Sequence, residues 1–169
     1  MPSPAFALTL ALVGSQPPPS NPPPIPCTDA HHRDFDFWVG RWEVFTPNGK
    51  KAGDNHIEKI LGGCVLREQW RSASGKSVGR SFNIFAGGKW HQTWVDNQGL
   101  LLELVGGLTA PGRMAMSQDT KDAEGKPLRH EITWTRLEGG EVKQTWRTSK
   151  DHGKSWTKVF VGIYRRPRS

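Results

Sequence analysis

The sequence predicts an all-β protein, an antiparallel up-and-down barrel of about ten strands, and two observations carry this prediction. From Asp36 onward, bulky side chains alternate with polar ones at a period of two, which is the pattern of half-buried strands. Glycine-containing turn signals separate these runs at short intervals, as hairpins require. Closure removes the exposed edges of so large a sheet, and short hairpins between neighbouring strands favour a barrel over a sandwich.

The predicted strands follow from these runs and the turns between them. In residues 89–96, Trp90, Gln92 and Trp94 share one face, and residues 141–149 place Gln144 and Trp146 together in the same way. We expect strands at residues 40–46, 54–61, 64–71, 77–85, 89–96, 100–106, 113–119, 128–136, 141–149 and 155–165.

Length and composition fit a single folded domain. The chain has 169 residues, and its 8 Trp and 7 Phe exclude a disordered protein, because disordered chains lack large apolar side chains. The net charge of +7 is dispersed along the chain, apart from a cluster at Arg165, Arg166 and Arg168. A dispersed basic surface is usually a solvated one, so no nucleic-acid partner is predicted.

The first 30 residues differ from the rest. Residues 5–14 form an apolar run too short to span a membrane, so residues 1–15 are interpreted as the remnant of a signal peptide, although no Lys or Arg precedes the run. The alternative is an apolar disordered tail. Residues 16–30 are a proline-rich disordered spacer, and residues 31–167 form the single barrel domain. This organisation predicts a periplasmic or secreted protein without a membrane span.

The chain has two cysteines, Cys27 and Cys64. In an oxidising compartment they are expected to form a disulfide that closes a loop and stabilises the domain by about 3–4 kcal/mol. The alternative is a pair of free thiols. Neither the cysteines nor the histidines have the spacing of a zinc site, so no metal is predicted.

The candidate ligand-binding residues are the polar and aromatic side chains that the period of two places inside the barrel. Burying Glu, Arg, His and Gln is costly unless they pair or meet water, and aromatic walls with a few polar groups are typical of small-molecule pockets. The alternative is an ordinary core, with Glu68 and Arg80 as a structural ion pair. The candidates are Glu68, Trp70, Arg80, Gln92, Trp94, His130, Trp134, Gln144 and Trp146.

Three functions are compatible with this pattern. The first is binding of a small amphiphilic or aromatic molecule inside the barrel. The second is an acid–base enzyme of the isomerase or lyase type on the same barrel, in which Glu68 and His130 are the weak catalytic candidates and Arg80 steadies an anion. The third is an interaction module with a solid barrel and an exposed apolar patch. No cofactor is predicted, and haem held by His130 alone is the less favoured reading. The sequence defines neither the ligand nor the oligomeric state.

Several segments resemble known proteins. Gly40-Arg41-Trp42 resembles the Gly-x-Trp that opens the first strand of lipocalins and fatty-acid-binding proteins, the calycins. In that superfamily the Trp closes one end of the barrel, and an Arg from near the last strand packs across it. The resemblance implies that Tyr164-Arg165-Arg166, at the end of the last predicted strand, supplies this Arg. The segments FDFWVGRWEV, LGGCVLREQW, WHQTWVDNQG, ITWT, DHGKSW and VGIYRR resemble a family of uncharacterised bacterial exported proteins.

The resemblance to this exported family covers nearly all of residues 31–166 and implies a calycin-like barrel. Members also have a cysteine shortly before the FDFW segment, which supports the pairing of Cys27 with Cys64. The chain departs from the family at Phe160-Val161-Gly162, where relatives tend to have an Asp before the Gly. The resemblance implies no activity.

Overall fold

The computed structural model of the protein describes residues 27–168. The predicted signal peptide and residues 16–26 of the predicted spacer lie outside the described residues. Within them, each predicted strand is present. The largest difference is in the sixth strand, which continues to Ala110 instead of ending at residue 106. The strands are β1 (Gly40–Phe45), β2 (Lys51–Ile60), β3 (Val65–Ser72), β4 (Val78–Ala86), β5 (Lys89–Asp96), β6 (Leu101–Ala110), β7 (Arg113–Lys121), β8 (Pro127–Arg136), β9 (Val142–Ser149) and β10 (Thr157–Arg165).

The strands form a closed antiparallel barrel in which each pairs with its neighbours in sequence. The first and last strands close it, with Val44 of β1 opposite Tyr164 of β10. The predicted all-β up-and-down topology is therefore confirmed. Closure satisfies the backbone hydrogen bonds that an open sheet would leave at its two edges.

One end of the barrel is closed by aromatic side chains. Two short 3₁₀ helices before β1, Ala30–Arg33 and Asp36–Trp38, lead the chain across this end. Phe35 stacks on Trp38 with ring centroids 4.8 Å apart, and it meets the edge of Trp134 at 5.1 Å. Phe35, Trp38 and Trp134 are fully buried. We call these residues, together with Trp42 and Trp90, the aromatic plug.

Trp42 and Arg166 have the arrangement that the calycin resemblance implies. The Arg166 guanidinium lies 3.7 Å from the centroid of the Trp42 ring and donates a 3.0 Å hydrogen bond to the carbonyl oxygen of Val39. Gly40 makes room for it, because a Cβ at this position would lie 1.7 Å from Arg166 Nη1. A φ of +134° at Gly40 also favours glycine. The closed ten-stranded barrel and this contact are consistent with a calycin-like fold.

The predicted disulfide is present and lies at the plugged end. Cys27 is bonded to Cys64, which follows the 3₁₀ turn Leu61–Gly63 between β2 and β3. The bond therefore fastens the start of the described chain to the barrel. Across residues 27–168, no helix has the length and apolar character needed to cross a membrane.

Candidate functional site

A cavity of about 450 Å³ occupies the end of the barrel opposite the aromatic plug. Its mouth lies between the β3–β4 turn, the β5–β6 turn and the start of β10. The wall is mainly aromatic and aliphatic, and the innermost part is polar. The lining residues are Glu68, Trp70, Ser72, Ser77, Gln92, Trp94, Asp96, Gln98, Leu100, Leu102, Ile132, Gln144, Trp146, Val159, Phe160 and Tyr164.

Glu68 is the centre of a hydrogen-bond network at the floor of the cavity. Its Oε1 accepts a 2.7 Å bond from Asn55 Nδ2, and its Oε2 accepts a 2.6 Å bond from Ser81 Oγ. Two further amides continue this side of the network, since Gln92 Nε2 donates to Asn83 Oδ1 at 2.7 Å and Asn83 Nδ2 donates to Ser81 Oγ at 3.0 Å. The hydrogen bonds that run from Gln92 on β5 through Asn83 and Ser81 on β4 therefore end at the carboxylate of Glu68.

The network also reaches the other wall of the barrel through Tyr164. Asn55 Nδ2 lies 3.3 Å from Tyr164 Oη, and the Tyr164 hydroxyl donates a short hydrogen bond to Gln144 Oε1. Burial and the charge of Glu68 hold the pKa of Tyr164 well above its ordinary value, so this hydroxyl stays protonated and keeps donating. The polar floor thus connects β9 and β10 to β2 and β3.

Burial dominates the electrostatics of Glu68. The side chain is almost fully buried, at 4% exposure, and desolvation raises its pKa from 4.5 to about 7 despite the two hydrogen bonds that oppose the shift. No Lys, Arg or His of the described chain pairs with it. The carboxyl group is therefore partly protonated near neutral pH, which is an unusual state for a glutamate.

The structure brings most of the predicted candidates together around this cavity. Aromatic and polar candidates both line it, as the period of two in β3, β5 and β9 predicts. The candidates that line the cavity are Glu68, Trp70, Gln92, Trp94, Gln144 and Trp146.

Arg80 faces the outside of the barrel, and the sequence prediction for β4 was wrong. In the β3–β4 register, Glu68 is opposite Ser81 whereas Arg80 is opposite Gln69. Arg80 is exposed and donates to the carbonyl oxygens of Trp70 and Gly79, so it forms no ion pair with Glu68. Phe82, two positions along the same face, is also outside, 53% exposed.

The misassignment of β4 has a physical cause. Its apolar side chains face solvent, and its small residues face the interior, where Ser81 and Asn83 bond within the network. Gly79 is required there, because a Cβ at this position would lie 2.2 Å from the Trp94 ring. Space and hydrogen bonding, rather than hydrophobicity, therefore determine which face of β4 is buried.

Two further candidates are buried but do not line the cavity. Trp134 belongs to the aromatic plug. His130 points into the barrel but is covered by Trp146, whose Nε1 donates a 3.1 Å hydrogen bond to His130 Nδ1. Desolvation lowers the pKa of His130, which keeps the imidazole neutral and able to accept this bond. No hydrogen bond within residues 27–168 joins His130 to Glu68, so the structure does not assemble the predicted acid–base pair.

Several residues of the site are not among the candidates that the sequence predicts. Tyr164 is the only tyrosine of the chain and shares one face of β10 with Gly162. Alternation alone does not indicate that this face lines a cavity. Asn55, Ser81 and Asn83 are small polar residues whose inward orientation depends on the register. The remaining lining residues are Ile132, Leu102, Leu100 and Phe160 on the walls and Ser72, Ser77, Asp96, Gln98 and Val159 towards the mouth.

Hydrogen bonds order the β9–β10 hairpin at the mouth end of the barrel. Asp151 Oδ1 accepts from Ser149 Oγ at 2.7 Å and from the backbone N–H of Ser155 at 2.8 Å. Ser149 Oγ in turn accepts from the backbone N–H of Gly153 at 2.7 Å. The Ser155 hydroxyl donates to Asp151 Oδ2, and this bond, with those from the Ser155 N–H and the Ser149 hydroxyl, holds the pKa of Asp151 well below its ordinary value. These hydrogen bonds therefore fix the conformation of the hairpin that leads into Val159 and Phe160.

The predicted interaction module would have a solid barrel and an exposed apolar patch on its outer surface. Exposed apolar side chains concentrate on the outer face of β4, β5 and β6, whereas the barrel itself contains a cavity rather than a solid core. The residues on that face are Phe82, Ile84, Val95, Leu101, Val105 and Leu108.

Among residues 27–168, no cluster of His, Cys, Asp and Glu side chains has the geometry to hold a metal ion. Comparison with models of known protein families gives no match, and comparison with curated proteins gives none either. The cavity and its chemistry are therefore the evidence from which a function is argued.

Proposed function

We propose that the protein binds a small amphiphilic or aromatic molecule in the barrel cavity. The observation that carries the proposal is the cavity itself. At about 450 Å³ it lies within the usual range of ligand pockets, roughly 300–1,000 Å³. A small barrel filled only for stability would contain aliphatic side chains at these positions.

The composition of the wall supports the same proposal. Trp70, Trp94 and Trp146 line the cavity without being fully buried, so their ring surfaces are available to a ligand. Trp70 and Phe160 meet edge to face, with centroids 6.1 Å apart. Glu68, Gln92, Gln144 and Tyr164 provide polar groups on the floor, so the cavity offers an apolar wall for the body of an amphiphile and a polar floor for its polar end.

We also propose that the protein is exported and that it belongs to the family of bacterial exported proteins that it resembles. The predicted signal peptide, the disulfide between Cys27 and Cys64 and the resemblance to bacterial exported proteins with calycin-like barrels all favour a periplasmic or secreted protein. Expression of the full chain in a bacterial host, followed by fractionation and mass determination, tests this part. Cleavage near residue 15 is expected, and an uncleaved cytoplasmic product would contradict it.

Binding is tested with N-phenyl-1-naphthylamine, an uncharged fluorescent probe. We expect saturable fluorescence enhancement, with energy transfer from tryptophan, for the wild-type protein. Trp94→Leu is expected to weaken binding about tenfold, because the substitution removes one wall of the cavity.

Trp156→Leu is the matched control, since Trp156 lies outside the cavity and packs under Arg147 at 4.1 Å. It also removes one tryptophan from the protein, so it corrects for the loss of energy transfer. Absence of saturable binding, or equal weakening by both variants, would contradict the proposal.

A further inference from the structure

The charges on the cavity wall are one-sided. Although the chain has a net charge of +7, no basic side chain among residues 27–168 lines the cavity, where the charged residues are Glu68 on the floor and Asp96 near the mouth. In the register of β4, Asp96 is opposite Gly79 and Glu68 is opposite Ser81, two positions further in. Two carboxyl groups thus lie at successive depths along the cavity.

Glu68 also differs from the acids on the outside of the barrel. Many of those form close ion pairs, such as Glu131 with Arg147 at 2.6 Å and Glu58 with Arg67 at 2.7 Å. Within the described part of the chain, Glu68 has no basic partner. A buried carboxylate without a counterion is costly, and an arriving cation would offset part of that cost.

The groups that face Glu68 are suited to a bound cation. They are Asn55 from β2, Ser81 from β4, Gln92 from β5, Gln144 from β9 and Tyr164 from β10, and of these only Tyr164 ionises, at a pKa well above its ordinary range. None is basic.

Gln92 offers a further acceptor beside Glu68. Its Nε2 is engaged with Asn83, while no hydrogen bond between described residues uses its Oε1. The acceptors that the floor offers a ligand are therefore the carboxyl of Glu68 and Gln92 Oε1, and the tryptophan rings on the cavity wall favour cations as well.

From this geometry we infer that the cavity selects hydrophobic organic cations, with an ammonium group directed to Glu68 and an apolar body between the tryptophans, and that it discriminates against carboxylates. The inference rests on the proposed binding function and names the ligand class. Anionic amphiphiles would meet two carboxyl groups and no positive side chain.

The test is isothermal titration calorimetry at pH 8 with three naphthalene probes of matched shape. These are 2-(1-naphthyl)ethylamine, which is cationic, 2-(1-naphthyl)ethanol, which is neutral, and 1-naphthylacetate, which is anionic. We expect the amine to bind at least about tenfold more tightly than the acid, with the alcohol between them. Equal or tighter binding of the acid would overturn the inference.

Glu68→Gln and Glu103→Gln are the variants to compare. Glu103 is exposed on β6, so its replacement removes the same charge from the outside of the barrel. Glu68→Gln is expected to weaken the amine about tenfold while changing the alcohol less than about twofold, and Glu103→Gln is expected to change neither. An unchanged affinity of Glu68→Gln for the amine would overturn the inference.

The pH dependence gives an independent reading. Because the pKa of Glu68 is about 7, its carboxyl is mostly neutral at pH 5.5 and mostly charged at pH 8. The neutral carboxyl should hold the amine no better than glutamine does, so affinity for the amine should rise about sevenfold over this range while affinity for the alcohol stays constant. A flat profile for the amine would overturn the inference. Binding of the alcohol without charge discrimination would overturn this inference alone, whereas failure of all three probes would also overturn the proposed function.

Discussion

Replacing Glu68 with glutamine is predicted to stabilise the protein above neutral pH. The pKa of Glu68 is about 7 in the folded protein and is expected to return to 4.5 on unfolding. Between these values the folded chain holds the extra proton, so its stability falls as the pH rises through this window. The favourable contribution of the protonated carboxyl is complete below pH 4.5 and is lost as the pH rises through 7. Glutamine does not titrate and escapes this loss.

The magnitude follows from the same two pKa values. Each pKa unit corresponds to about 1.4 kcal/mol, so the difference corresponds to about 3 kcal/mol for a fully buried group. Urea unfolding followed by tryptophan fluorescence, at intervals from pH 4.5 to 8.5, measures it. The unfolding free energy of Glu68→Gln minus that of the wild type should increase by about 3 kcal/mol across the range.

The difference between variants isolates Glu68, because all other titrating groups are common to both proteins. Glutamine can be accommodated, since Asn55 Oδ1 is buried without a hydrogen-bond partner and rotation of that amide would present it to the new side-chain amide. Glu103→Gln should give a constant difference from the wild type. A pH-independent difference for Glu68→Gln, constant within about 0.5 kcal/mol, would refute the reasoning.

Other parts of the structure give further predictions. Cys64→Ser opens the disulfide and should lower the unfolding free energy by about 3–4 kcal/mol in urea titrations without reductant, and equal stabilities would contradict the estimate. Arg166→Ala removes the guanidinium above Trp42 and should cost about 1–2 kcal/mol in thermal unfolding, whereas an unchanged midpoint would show that the contact is not stabilising. His130 should be neutral at pH 7 with its proton on Nε2, because its Nδ1 accepts from Trp146. Long-range ¹H–¹⁵N spectra check this, and a protonated Nδ1 would contradict it.

The strands were predictable because their signals are local. Alternation places Trp90, Gln92 and Trp94 on one side of β5, and the structure has the same bounds and the same inward face. Turn glycines such as Gly49 and Gly99 adopt the positive φ that tight turns require. Closure followed from strand number and hairpin connections.

The interior face of β4 was not predictable from its own sequence. Hydrophobicity favours burial of Phe82 and Ile84, but Trp94 and Glu68 from the neighbouring strands occupy the space inside the barrel next to β4. Only the register brings Ser81 opposite Glu68, and register is a long-range property. The network at the floor was missed for the same reason.

Trp134 and His130 were wrongly predicted to line the cavity. The alternation of a strand defines which side chains point into the barrel but not how far along its axis they lie. Both point into the barrel with Ile132 on β8, yet Trp134 meets the 3₁₀ segment at the plugged end and His130 is covered by Trp146. The aromatic plug depends on Phe35 and on other residues that precede β1. The strand pattern gives no information about how that segment crosses the end of the barrel.

The cost of Glu68 connects stability with the proposed function. A buried acid without a counterion makes the barrel less stable above neutral pH, and glutamine, similar in size, would avoid that cost. Stability alone therefore gives no reason for a glutamate at this position, whereas recognition of a cation does. Glu68→Gln should then be more stable and bind the ammonium probe less tightly in the same buffer at pH 8. A variant that lost stability together with binding would instead indicate that the carboxylate serves the fold, and the argument for a ligand at Glu68 would fail.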